Sequence, residues 1–361
     1  MKKRVVIAMS GGVDSSVAAA LLVKDGFEVI GMTMCFNLKE PSGKKPICCG
    51  LQGIEDARRV AHKLGIRHYV VNMQKALEER VIKDFCLEYL KGRTPNPCVK
   101  CNQFLKFDVL LKKAISLDAD FLATGHYSKI AVSCKSKTAS PEYSLKKAKD
   151  KFKDQSYFLY RLNQYQLKQA LFPLGNYTKA EVRALASRFD LPVADKPGSQ
   201  EICFLPDNDY RAFLRNRHLP DIKPGNVIDK KGNILGRHKG IAFYTIGQRE
   251  GLGIAGSRPL YITKLDPENN EITLGIKEEA YKSGFTVIDA HFISRPIKKK
   301  IVARVKIRYN HKEAPAEISP FGKRIKVSFR KPQFAITPGQ SAVFYDRDKV
   351  LGGGIIDKAV D

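Results

Sequence analysis

Two periods of apolar residues succeed each other along the first 125 residues. Val5–Met9 and Glu28–Met34 read as short buried strands, with an alanine- and leucine-rich helix from Asp14 to Lys24 between them. Ile54, Ala57, Val60, Ala61 and Leu64 recur at the helical period and mark one buried face. His68–Asn72 then reads as strand, Leu77–Leu90 and Gln103–Leu117 as helices, and Asp120–Thr124 as strand. Strand–helix alternation at this spacing predicts an α/β, doubly wound parallel sheet.

From about Gly225 the pattern changes. Turn signals at 229–233 (DKKGN) and 266–271 (DPENNE) separate short β-branched or aromatic runs: Ile241–Ile246, Leu260–Leu265 and Ile272–Leu274. A second set follows at Phe285–Ile288, Ile301–Ile307, Arg324–Phe329 and Ala342–Tyr345. These predict a small β-rich central domain and a C-terminal β-barrel. The expected division is 1–210, 211–281 and 282–361.

The charge balance points to a partner. Lysine and arginine total 63 against 37 acidic residues, a formal net charge of +26 over 361 residues. Residues 295–331 alone hold 13 basic and two acidic side chains. Such an excess favours a polyanion, and no strongly amphipathic basic helix directs it to a membrane surface. No apolar run approaches the roughly 18 residues of a membrane span. The opening MKKRVVIAMSGG reads as a first strand rather than a signal peptide. Eight cysteines without a secretory signal imply functional thiols in a reducing, cytoplasmic setting rather than a disulfide framework.

SGGVDSS, Ser10–Ser16, follows the first strand and opens the first helix. Two glycines let backbone N–H groups approach an anion, and a helix N-terminus adds a favourable dipole. Ser10, Ser15 and Ser16 can donate to phosphate oxygens, while Asp14 suits a magnesium ion. The lysine of a Walker loop is missing, and GxGxxG is absent.

SGGVDSS resembles the pyrophosphate-binding loop of ATP pyrophosphatases. GRTPNPCVKCNQFLKF (92–107), ATGHY (123–127), KDQSYFL (153–159), GSQEICF (198–204), YTIGQREGLGI (244–254) and VKIRYNH (305–311) extend the resemblance, in order, to the tRNA-specific 2-thiouridylases. That resemblance implies an adenine-nucleotide alpha-hydrolase-like fold and a two-step reaction. ATP adenylates the 2-carbonyl oxygen of a wobble uridine, and sulfur then displaces AMP. It implies ATP contact by Ala8, Met9, Ser10, Gly11, Gly12, Val13, Asp14, Ser15, Ser16, Met34 and Gly125. It also implies tRNA contact, at the anticodon region, by Asn96, Pro97, Cys98, Lys153, Asp154, Gln155, Arg308 and Tyr309, and a protein that donates sulfur.

Cys101 matches the family's nucleophilic cysteine and Cys203 the one that carries persulfide sulfur. Many members hold aspartate where this chain has Cys98. Two mechanisms therefore stand open: a Cys203 persulfide resolved to a Cys101–Cys203 disulfide, or an iron–sulfur cluster on Cys98, Cys101 and Cys203. Pro95 and Pro97 are expected to hold the chain extended before Cys98. A helix resuming near Gln103 would then lend its N-terminal dipole to a Cys101 thiolate. A zinc knuckle would need a second ligand pair, which the spacing lacks. Synthetases that use amine nucleophiles, such as argininosuccinate or GMP synthetase, share the loop but not the cysteines or the basic β-rich half. A non-catalytic RNA binder would have no use for an intact loop and both cysteines.

Overall fold

The computed structural model describes residues 2–36, 51–134, 140–198, 202–205, 208–217, 219, 222–254 and 258–361; Cys48 and Cys49 lie outside them. The chain forms two compact units. One comprises Met1–Val81, Cys98–Asp209 and Asp348–Val350; the other comprises Ile82–Pro97, Tyr210–Arg347 and Leu351–Asp361.

In the first unit, β1 (Arg4–Ala8) leads through the loop into α1 (Val13–Lys24), and β2 (Glu28–Cys35), α2 (Leu51–Lys63) and β3 (Arg67–Asn72) follow. Next come β4 (Phe121–Thr124), a hairpin of β5 (Lys129–Ser133) and β6 (Glu142–Lys146), and the short β7 (Ala170–Leu171). The main sheet has the order β3-β2-β1-β4-β7 and its pairings are parallel. The doubly wound expectation holds. Val17, Ala18 and Ala19 are completely buried in the core with Val5 and Ile7. Their small side chains let α1 seat closely on the sheet. Strand order reverses between β1 and β4, so the crevice beyond the carboxyl ends of these two strands is the expected ligand position.

The second unit holds β8 (Gly225–Ile228), β9 (Ile234–His238), β10 (Tyr261–Asp266) and β11 (Glu271–Gly275) in a sheet of order β10-β11-β8-β9. It continues with β12 (Tyr281–Phe292), β13 (Ile301–Lys306), β14 (Ala314–Phe321), β15 (Arg324–Phe334), β16 (Ser341–Asp346) and β17 (Lys349–Val360). The run β12-β15-β14-β13-β16-β17 closes through β12–β17 pairing into a six-stranded barrel. Inward Ala303, Val305, Ile318 and Val327 are buried, whereas the alternate positions Arg304, Glu317 and Lys326 are exposed.

Two local expectations are corrected. Ile241–Ile246 is not a strand but opens as a 3-10 turn at Ile241–Phe243. Gly240, at φ +136°, donates its N–H to His238 Nδ1 and diverts the chain. Helix also does not wait for Gln103. It begins at Pro97 (Pro97–Lys100) and continues in π register over Cys101–Leu110 before Leu111–Ile115. Proline at a helix start loses no hydrogen bond, because the first N–H groups have no intrahelical acceptor.

Candidate active site

The SGGVDSS loop sits at the β1/β4 reversal. Gly11 has φ +73°, and a Cβ there would lie 2.2 Å from the Gly53 carbonyl oxygen, so only glycine fits. Gly12 caps α1 without a side-chain bond, which leaves the first backbone donors for an anion. Gly125, just beyond β4, approaches so closely that its Cβ would lie 2.8 Å from Ser15 N. Met34 is half-buried near the carboxyl end of β2. The Ser15 and Ser16 hydroxyls donate back to the Gly12 carbonyl at 3.1 and 2.9 Å.

Asp14 is not alone. Its Oδ1 accepts from Lys179 Nζ at 2.6 Å and from the Tyr127 hydroxyl at 2.7 Å. Burial first, then the Asp14 charge and hydrogen bond, push the Tyr127 phenol far up, so it remains a donor. A second lysine, Lys196, bonds the Gly11 carbonyl at 3.2 Å and Asp56 Oδ2 at 2.6 Å. A single carboxylate beside bound phosphates is a usual magnesium arrangement, so Asp14 fits that ion once its Oδ1 is released.

Cys98 and Cys101 are both half-buried and lie one helical turn apart. Burial pushes the Cys98 thiol up to about 11, with Cys101 adding and Lys106 opposing. Burial likewise raises Cys101 against Lys106. The expected dipole-stabilised thiolate is thus corrected: with the helix starting at Pro97, Cys101 is beyond the first turn, where the dipole fades, and desolvation wins. On an α-helix Cys101 and Lys106 would point about 140° apart, whereas the π register closes i to i+5 and brings them onto one face. Lys106 Nζ also lies 3.4 Å from Nε2 of buried His126, whose Nδ1 is 2.6 Å from the Thr124 hydroxyl. Burial, then Lys106, keeps His126 neutral.

Cys203 is exposed in the short described stretch 202–205. Among the described residues no group of three or more His, Cys, Asp or Glu side chains is set as metal ligands. Cys98, Cys101 and Cys203 are all described residues, so the three thiols are not gathered here as a ligand set.

Residues 3–207 match the family model described as tRNA methyl transferase HUP domain. Residues 211–276 match a tRNA methyl transferase PRC-barrel domain, and 282–356 an aminomethyltransferase beta-barrel domain. A tRNA-specific 2-thiouridylase of Caldanaerobacter subterraneus subsp. tengcongensis is 54% identical, covering 100% of this chain and 99% of its own. Those of Carboxydothermus hydrogenoformans and Halothermothrix orenii are 49% and 52% identical over 99% and 98% of this chain, and 98% of each relative. The chain belongs to the tRNA-specific 2-thiouridylase family.

The residues expected to contact tRNA are placed unequally. Asp154 is buried, accepting from Ala148 N and the Ser156 hydroxyl at 3.0 and 2.8 Å. Gln155 exchanges bonds with Tyr127, its Oε1 accepting from Tyr127 N at 3.0 Å and its N–H donating to Tyr127 O at 2.8 Å. Lys153 is half-buried, and the neighbouring Phe152 is 94% exposed between Lys151 and Lys153. Asn96 is half-buried and Pro97 buried. Arg308 and Tyr309 follow β13, with Lys306 Nζ 5.3 Å from the Tyr309 ring centre. A recess of about 750 Å³ beside β3, lined by Asn72, Gln74, Glu78 and Arg80 among others, contains none of the expected site residues.

Lys106, His126, Tyr127, Lys179 and Lys196 were given no role from the sequence. Lys106, His126 and Tyr127 lie within segments that carry the resemblance, and Lys179 carried a local signal of its own. Thr178-x-x-Glu181 is a capping box that starts the Lys179–Arg188 helix, and a lysine at that positive end runs against the dipole.

The Lys196 contact yields a stability prediction. Asp56 is 4% exposed; burial works to raise its carboxyl, but bonds from Lys196, Gln52 and Arg59 outweigh this and lower it. Lys196→Met should cost about 2 kcal/mol, below the full loss of a buried partner because Arg59 remains. A lowered carboxyl stabilises the fold above its unfolded pKa, and that contribution disappears as pH falls through the native value. The deficit should therefore be present in urea titrations at pH 7 and shrink below the ordinary carboxylate range. A midpoint equal to wild type at pH 7 would show the contact to be idle.

Proposed function

We propose that this protein is a tRNA-uridine 2-sulfurtransferase, which uses ATP and a Cys203 persulfide to thiolate the wobble uridine of tRNA. The observation that carries the reading is the conjunction, in one unit, of a nucleotide loop at the sheet's reversal and the Cys98–Cys101 helix. That helix is tied to the β4 terminus through Lys106 and His126. Methyl transfer, the word in two of the matched descriptions, has no use for a polyphosphate loop and paired thiols.

The uridine O2 attacks the α-phosphorus of ATP and pyrophosphate leaves, which converts an amide-like oxygen into a good leaving group. Backbone donors of Gly11, Gly12 and Val13 hold the phosphates, with Ala8, Met9, Met34 and Gly125 framing the nucleoside. Magnesium, held through Asp14, would offset polyphosphate charge. The outer sulfur of Cys203–S–SH attacks C2 and AMP leaves. The Cys101 thiolate then attacks Cys203 Sγ, so the transferred sulfur stays on C2 and a Cys101–Cys203 disulfide forms. A dithiol reductant resets it, and a sulfur-donor protein reloads Cys203. Cys98 is auxiliary. On this reading residues 1–210 are catalytic, 211–281 a central module and 282–361 the RNA-binding barrel, in a cytoplasmic protein.

The test is tRNA-dependent release of pyrophosphate, followed by mass spectrometry of the wobble nucleoside. Release driven by an amine without RNA would favour the synthetase chemistry instead. The basic barrel adds a second expectation. Lys298, Lys299 and Lys300 are exposed and Arg308 half-buried. Raising salt from 50 to 200 mM should weaken tRNA binding at least about a hundredfold through counterion release. Charge reversal at these four positions should weaken tRNA but not ATP binding. A flat salt profile would remove the electrostatic account.

A further inference from the structure

The nucleotide loop lacks the lysine that phosphate-binding loops commonly carry, yet the fold brings one to it from 165 residues away. Lys179 is the first residue of its helix, where a positive charge opposes the macrodipole. Its side chain is nevertheless only 17% exposed and is aimed at Asp14 Oδ1. Its backbone N–H is also anchored, donating to Asp150 Oδ2 at 2.9 Å. Asp14 itself lies in the first turn of α1, beside the backbone donors that Gly12 leaves without a side-chain cap. The ammonium therefore stands beside the position where a polyphosphate would meet that helix end.

Lys196, the other lysine on the loop, is differently committed. It joins the Gly11 carbonyl to the buried Asp56, so its charge neutralises a carboxylate almost shut off from solvent. The Asp14 side chain is 36% exposed, and the Lys179–Asp14 pair can exchange partners at far lower cost.

We infer that Lys179 is the polyphosphate-binding cation of this loop, clasped by Asp14 and handed to the phosphate oxygens as nucleotide binds. Tyr127, donating to the same Oδ1, steadies the carboxylate through the exchange. The inference rests on the nucleotide reading above and adds the group that answers for the missing loop lysine.

Calorimetric titration of the full chain with ATP, inorganic pyrophosphate and adenosine, in magnesium-free buffer, tests it. Lys179→Met should weaken ATP and pyrophosphate by about ten- to a hundredfold, as for loss of a charge-assisted bond, and leave adenosine unchanged. Lys179→Arg should recover most of the affinity. Asp14→Asn should tighten pyrophosphate in the Lys179 protein, because the lysine is released, and do so much less in the Lys179→Met protein. Adenosine binding by each variant reports an intact pocket. Equal pyrophosphate affinity in Lys179→Met and wild type overturns the lysine's role and leaves the nucleotide reading standing. A wild-type protein that binds neither ATP nor pyrophosphate overturns both.

Discussion

Asp14→Ala is expected to lower tRNA-dependent pyrophosphate release at least about a hundredfold while tRNA affinity stays within twofold. Asp14 is the acidic side chain of the loop's first helical turn and the meeting point of Lys179 and Tyr127. Its removal takes away the carboxylate suited to magnesium and the anchor that holds both partners in place. Misplaced phosphates cost more in the transition state than in binding, since in-line attack on the α-phosphorus tolerates little displacement. The basic barrel surface is untouched, so electrostatic capture of tRNA persists. The magnesium-free pyrophosphate titration of Asp14→Asn separates the two roles: tighter ground-state binding together with failed turnover is the expected pair. Adenylate formation by Asp14→Ala at a rate near wild type would show that the carboxylate is dispensable.

The loop and the parallel sheet were legible because their signals are local. A buried strand run, two glycines and an alanine-rich helix lie within 24 residues, and each constrains its neighbours. β14 was not legible, because Pro315 and Pro320 interrupt it. Prolines demote a run to non-strand unless the partner's bonding pattern is known. β17 hides behind Gly352, Gly353 and Gly354; a Cβ at Gly352 would meet the His291 carbonyl oxygen at 2.1 Å, so close strand approach rather than flexibility explains that residue. At the site, the partners of Lys179 and Lys196 could not be read because the contacts join residues far apart in the chain. The state of the thiols was misread for a related reason. Dipole direction follows from where a helix starts, but desolvation depends on what packs around it.

The largest expected effects fall on the cysteines. Cys101→Ala and Cys203→Ala should each abolish formation of the thiolated nucleoside, yet both should still release pyrophosphate when tRNA is supplied. Adenylation needs the loop, whereas sulfur transfer needs both thiols: one to carry the sulfur and one to attack the carrier. Cys98→Ala should retain most activity, and iron-free protein supplied with a persulfide donor should turn over. The pH profile follows from the surroundings. Burial raises Cys98 to about 11 and Cys101 above its ordinary value, so each is chiefly thiol at pH 7. A raised thiol pKa means that the nucleophilic form gains with rising pH. Sulfur transfer measured on preformed adenylate should therefore climb through the alkaline range while pyrophosphate release does not follow it. Lys106→Met removes the one charge that opposes burial at both thiols and should move the Cys101 alkylation profile to higher pH, with Lys106→Arg restoring it. Turnover lost in Cys98→Ala together with bound iron would replace the persulfide route by the cluster route. A fully active Cys203→Ala protein would defeat both.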